Sequence, residues 1–213
     1  MQNGECHGEE VAIIELFNVI RNDFVRLRSI FLLYWKAAEN KFPEDHANDF
    51  KTIFVDSKDF NTMIKTWQFS AARQSIYELE QFCLKIKNAI EDSTWEQKPI
   101  PAAIAHDLTW LLDEINQLFP SLKDIRNSIA HREKINRGRK LGKKSTILKS
   151  DIKLAQDKFL MSKGGTLGES LVNNVFCLTR EGVVHKFDMG EKSIMGLIST
   201  YNNWLLKYFP KTK

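Results

Sequence analysis

Residues 122–133 read LKDIRNSIAHRE and bring Arg126, Asn127 and His131 within six positions. On a helix Asn127 and His131, four apart, stack on one stripe. Arg126 lies roughly 140° around and about 7.5 Å along from His131, within reach of a shared site only if its long side chain leans toward it. The chemistry such a set suits is cleavage of RNA. A histidine near pKa 6.5 takes or gives a proton at neutral pH, activating a ribose 2′-OH or protonating the leaving oxygen. An arginine grips a phosphate bidentately and stabilises its developing charge. The set requires neither a metal nor a cofactor. A second copy of the helix, packed antiparallel about a two-fold axis, would place two Arg and two His around one cleft. The plainer alternative is a polar helix face, with His131 decorating the helix end and Arg126 paired to Asp124 or Glu133.

Positive charge follows directly. Arg132, Lys134, Arg137, Arg139, Lys140, Lys143, Lys144 and Lys149 are opposed by the single acid Glu133. The run reads either as a solvated loop or as an RNA-guiding patch, since Lys and Arg displace counterions condensed on nucleic acid.

The elements that must position these residues are helical. Val11, Ile14, Phe17, Val25, Ile30, Leu33 and Trp35 recur at roughly helical spacing, predicting a helix over 10–40, interrupted near Asn22–Asp23. PEDHAND marks a loop, and KTIFVD reads equally as a strand or a helical turn. Phe60, Ile64, Trp67, Ala71, Leu79, Phe82, Ile86 and Ile90 form the stripe of a second helix, with N-cap chemistry at Asp56–Ser57. Pro99 and Pro101 end that region. A third helix is expected over 102–118, and a fourth over 122–136 with Pro120 in its first turn and Leu122, Ile125 and Ile129 inward. VNNVFCLTREGVVHKFDM reads as a hairpin turning at Arg180-Glu181-Gly182, and KSIMGLISTYNNWLLKYF as a terminal helix. No internal repeat or low-complexity tract is present. The expected fold is mainly α: four to five helices in a bundle, with a C-terminal β-hairpin and terminal helix.

The 213 residues suffice for one domain with a full core, and 43% apolar and 27% charged residues are ordinary for a soluble protein. Five Trp and fourteen Phe point to a large packed interior. MQNGECHGEE has neither a basic nor an apolar signal region, and FVRLRSIFLLYWKAA is too short and charged to span a bilayer. Cys6, Cys83 and Cys177 are odd in number and far apart, suggesting neither a disulfide framework nor a zinc ribbon. A cytoplasmic protein without membrane attachment is expected.

Other residues carry less. GGTLG at 164–168 lacks the GK[ST] ending of a P-loop and reads as a turn. Cys6-His7 with His46 or His106 has no metal-ligand spacing. His106-Asp107 reads as the solvent edge of the third helix, and His185 as a surface residue of the hairpin. Arg73, polar on an amphipathic helix, is a candidate for lining the cleft.

LFPSLKDIRNSIAHREK resembles the signature of the HEPN superfamily (higher eukaryotes and prokaryotes nucleotide-binding): Arg, a polar residue that is often Asn, a few residues, then His, near the end of a bundle helix. Arg126, Asn127 and His131 match it position by position. The resemblance covers residues 10–137 as a HEPN-like core of one domain over 1–213. Residues 138–213 would then be an appendage of basic loop, hairpin and helix. It implies a homodimer whose motif helices meet, and a metal-independent endoribonuclease leaving a 2′,3′-cyclic phosphate and a 5′-OH. Such proteins often act as toxins or effectors in antiphage, toxin–antitoxin or CRISPR systems, so an antitoxin or defence-system partner is an associated expectation. Other members bind RNA, nucleotides or protein partners without cleavage, which is the alternative.

Overall fold

The structure is a computed structural model that describes residues 3–39, 57–92, 94–95, 98–136, 152–154, 159–161, 169–180 and 183–209; side chains at several segment ends, 130–136 among them, fall outside the description. Two helices of 36 residues each, α1 (Asn3–Ala38) and α2 (Ser57–Asp92), pack against one another and form the backbone of the bundle. α3 (Ala102–Leu118) packs on α2, α4 (Leu122–Asn136) packs on α2 as well, and α5 (Glu191–Tyr208) packs on α3.

α1 runs unbroken through Asn22–Asp23. The reason is a continuous buried stripe, Leu16, Ile20, Phe24, Leu27, Phe31 and Tyr34, at spacings of three and four. Asp23 faces out of that stripe and is held by Lys85 of α2 and, at 3.7 Å, by Arg26. The apolar residues that gave the helical spacing are mostly not the buried ones. Val11, Ile14, Val25 and Leu33 are all about half exposed, while Phe17 alone of the central positions in that set is buried. Apolar residues on both faces of α1 blur the period.

Between α2 and α3, β1 (Thr94–Trp95) pairs antiparallel with β2 (Lys98–Pro99). Pro101 then caps α3 with φ of −56°, the value its ring imposes. Pro120 lies in the turn before α4 and not inside its first turn; the helix begins two residues later. PEDHAND and KTIFVD lie outside the described residues.

The C-terminal part holds more strand than the expected hairpin. β3 (Ile152–Leu154) pairs with β4 (Phe159–Met161). β5 (Glu169–Val172), β6 (Val175–Arg180) and β7 (Val183–Asp188) form an antiparallel sheet in that order. The β6–β7 pairing is the hairpin read from sequence. The β5–β6 turn is made by Asn173 and Asn174, at φ of 47° and 63°. Two left-handed residues in a two-residue loop match the twist of the flanking strands, and Asn tolerates that conformation better than most residues.

One core unites these parts. Phe176, Phe187, Leu197, Tyr201 and Trp204 belong to the same buried cluster as Leu16, Phe24, Leu79 and Leu111. Phe24 and Tyr201 stack with ring centroids 3.6 Å apart, and Phe17 meets Trp204 at 5.1 Å. Phe119, just past α3, stacks on Phe187 of β7 at 4.6 Å. The Tyr34 hydroxyl donates to Asn174 Oδ1 at 2.8 Å, and Trp35 Nε1 donates to the carbonyl of Met189 at 3.2 Å. β6, β7 and α5 therefore share the core of the bundle. Among the described residues no helix is long and apolar enough to cross a membrane.

Candidate functional site between α2 and α4

Leu122 and Ile125 are buried and fix α4 against α2, while β6 and β7 support its other side. That anchoring turns the next residue, Arg126, toward a cleft of about 490 Å³. α2 contributes Ser70, Arg73, Gln74, Ile76 and Tyr77 to its walls, and α4 contributes Arg126 and Ile129.

Arg126 reaches an acid of a neighbouring helix. Its Nε lies 3.2 Å from Oε2 of Glu80 on α2. The N–H is not directed at that oxygen, so the contact is an ion pair without a hydrogen bond. Nη1 donates to Oδ1 of Asn127 at 3.3 Å. Glu80 is buried, and its Oε2 also accepts from Gln81 Nε2 at 2.9 Å. A buried carboxylate needs such partners, because an unpaired charge out of water is costly.

Arg73 repeats the arrangement from the other wall. Its Nε lies 3.6 Å from Oε2 of Glu169 on β5. Gln74 donates to Glu78 at 2.8 Å, and Glu78 is in turn held by Arg26 of α1. Tyr77, one turn beyond Arg73, is 48% exposed, open enough to meet a ligand's flat face.

The motif residues are thus placed unequally. Arg126 lines the cleft and Asn127 braces it. The backbone of α4 continues through His131, Arg132 and Lys134, but their side chains lie outside the description. Arg137, Arg139, Lys140, Lys143 and Lys144 lie outside the described residues, as do His46 and GGTLG. The side chains of Cys6 and His7 do too. His106 is exposed on α3, and its neighbour Asp107 accepts from Lys207 at 2.8 Å and from the Tyr208 hydroxyl at 2.7 Å. Those two donors hold the Asp107 carboxyl below its usual range. His185 is no free surface residue: its side chain is 17% exposed and its Nδ1 stands 3.7 Å from Asp124 of α4.

A second cleft of about 480 Å³ lies between α2, α3 and the start of α4. Cys83, Leu84, Ile90, Leu112, Phe119 and Leu122 supply most of its apolar wall, with Lys87 and Lys123 also lining it. Burial pushes the Cys83 thiol up to about 12, with the nearby Glu80 charge adding to the effect.

Sequence reasoning missed Glu80, Glu169 and Tyr77. Glu80 left a signal: it sits four after Ile76 and three before Cys83, on the buried stripe of α2. A carboxylate at an apolar-stripe position announces a buried cationic partner. Glu169 left none, since its strand was not foreseen. No protein-family model matches the chain, and no curated protein or solved structure matches it significantly.

Proposed function

We propose that this chain is a metal-independent endoribonuclease of the HEPN type. Arg126 holds the scissile phosphate and His131 moves the proton. The 2′-hydroxyl gives its proton to an imidazole as its oxygen attacks the adjacent phosphorus. The bond from phosphorus to the 5′ oxygen breaks, and that oxygen takes a proton from a second imidazole. The products are a 2′,3′-cyclic phosphate and a 5′-OH. Two imidazoles and two arginines at one centre call for a homodimer across the α4 helices, with the partner's His131 completing the pair. Asn127 braces Arg126 through its amide oxygen and keeps its amide N–H groups for His131 or a phosphate oxygen. Arg132, Lys134, Arg137, Arg139, Lys140, Lys143 and Lys144 guide the strand. A role as a toxin or antiphage effector follows from the same resemblance.

The observation that carries this reading is the placement of Arg126. Of the two motif side chains described, Arg126 and Asn127, it is the one that opens on a cleft, while a buried carboxylate holds it from behind. The test is incubation of purified protein with RNA in EDTA. Wild type should cleave, and His131→Ala should lose about 10²–10⁴ in rate, the usual contribution of a positioned acid or base. Equal cleavage by both would remove His131 from the reaction.

The second reading is a noncatalytic RNA- or nucleotide-binding or protein-interaction module. The Glu80–Arg126 pair favours it, because an arginine already matched by an acid can serve packing alone. RNA left intact by wild type, with a mobility shift or captured partner, selects this reading.

A further inference from the structure

The α2–α4 cleft contains two arginines prepared in the same way. Arg126 comes from α4 and is held at Nε by Glu80; Arg73 comes from α2 and is held at Nε by Glu169. In both pairs the acid lies deeper than the base. The Glu80 and Glu169 side chains are 11% and 13% exposed, against 31% and 32% for Arg126 and Arg73. The carboxylates therefore face the interior, and the guanidinium heads stand between them and the opening. About a third of each arginine side chain remains exposed at the cleft, and guanidinium N–H groups match the spacing of two phosphate oxygens. Each acid limits the rotamers of its arginine, so less entropy is lost when an anion arrives.

Tyr77 adds a different surface. It follows Arg73 by four residues on α2, lines the same cleft and is 48% exposed. Tyr77 lies outside the buried core, so packing does not explain an aromatic there. A flat ring beside two phosphate-sized donors is the combination that binds a nucleotide in a strand: phosphates on the arginines, a base on the ring.

We propose that Arg73 and Arg126 form a clamp for the phosphates of an RNA strand, with Tyr77 as the platform on which an adjoining base stacks. Arg73 and Tyr77 are binding residues additional to Arg126, Asn127 and His131. The proposal rests on the reading of Arg126 as a phosphate-holding residue, and extends the site from one helix to two.

The test uses the full chain and a short fluorescein-labelled RNA with 2′-O-methyl riboses, which lacks the attacking hydroxyl and cannot be cleaved. Binding is followed by anisotropy, with inorganic pyrophosphate and AMP as competitors. Arg73→Ala should weaken binding about tenfold or more, the loss expected when a charge-assisted hydrogen bond goes. Tyr77→Ala should weaken it about fivefold or more, in line with the loss of one stacked base. Pyrophosphate should compete less well with Arg73→Ala than with wild type, and equally well with Tyr77→Ala and wild type. Should Arg73→Ala melt early, Arg73→Lys keeps charge and stem while losing the fork, and should still bind more weakly than wild type.

Binding by Arg73→Lys and Tyr77→Ala within twofold of wild type overturns the clamp, and so does preference for AMP over the strand. If wild type binds with these sensitivities yet cleaves no RNA, the clamp stands and the nuclease reading falls. If His131-dependent cleavage is present while both variants bind as wild type does, the clamp alone falls.

Discussion

Two clefts of nearly equal volume, about 490 and 480 Å³, flank the contact between α2 and α4. They share one residue pair as a wall: Arg126 opens into the first and Glu80 into the second. Their contents differ. The first gathers two arginines, a glutamine and an exposed tyrosine; the second is walled by Leu84, Leu112, Phe119 and a buried thiol. Size does not distinguish them as sites. What distinguishes the first is that each of its arginines is backed by a carboxylate less exposed than itself.

The comparison can be broken or sharpened by experiment, beginning with the apolar cleft. With the Cys83 thiol at about 12 against an ordinary 9.0, its thiolate population at pH 8 should be lower by about 10³. Ellman's reagent should therefore leave Cys83 untouched in the native protein and react promptly in urea. The folded-state value is raised, so the linked stability is fully present below about pH 9.0 and is lost as pH climbs through about 12. Fast native reaction would show a cleft that opens.

The next largest effect belongs to the polar cleft. Arg126→Ala should lower the cleavage rate about 10²–10³, as removal of a transition-state donor does. A rise in KM with kcat unchanged would instead mark ground-state binding.

Glu80→Gln acts on both clefts. It keeps the shape but removes the charge behind Arg126, and should cost about 1–2 kcal/mol in urea unfolding, less than a wholly buried pair because Arg126 is partly exposed. Cleavage should fall about tenfold as Arg126 loses its preferred rotamer, consistent with a coupling of about 1.4 kcal/mol. Unchanged stability and activity together would show the pair to be incidental.

The smallest effect is expected from filling the apolar cleft. Asn116→Phe places a ring among its apolar walls and should leave RNA binding within about twofold, since surface changes away from a site stay near 0.5 kcal/mol. A larger loss would join the two clefts into one site.

Legibility from sequence followed the range of the cause. α3 and α4 lie where the sequence places them because their signals are local: Pro101 before one, Pro120-Ser121 before the other, and clean apolar stripes inside. α1 was harder, since exposed Val11, Ile14 and Val25 compete with buried Leu16, Ile20 and Phe24 for the period. β5 is short, and its partner β6 alone has the Val- and Phe-rich signature; only Asn173-Asn174 points to the turn between them. Arg126 was legible as a chemical group, but its partner was not. Glu80 lies 46 positions earlier, and only packing of α2 on α4 brings the two together.

The aromatic seam between α1 and α5 bears on time as well as on stability. Phe17 and Phe24 meet Trp204 and Tyr201 across nearly the whole chain. Such contacts form only after the longest loop closes, so folding should be slower than for a bundle of sequence-adjacent helices. The two ends of the chain act together as a clasp, and a chain nicked in a surface loop can stay assembled while that clasp holds.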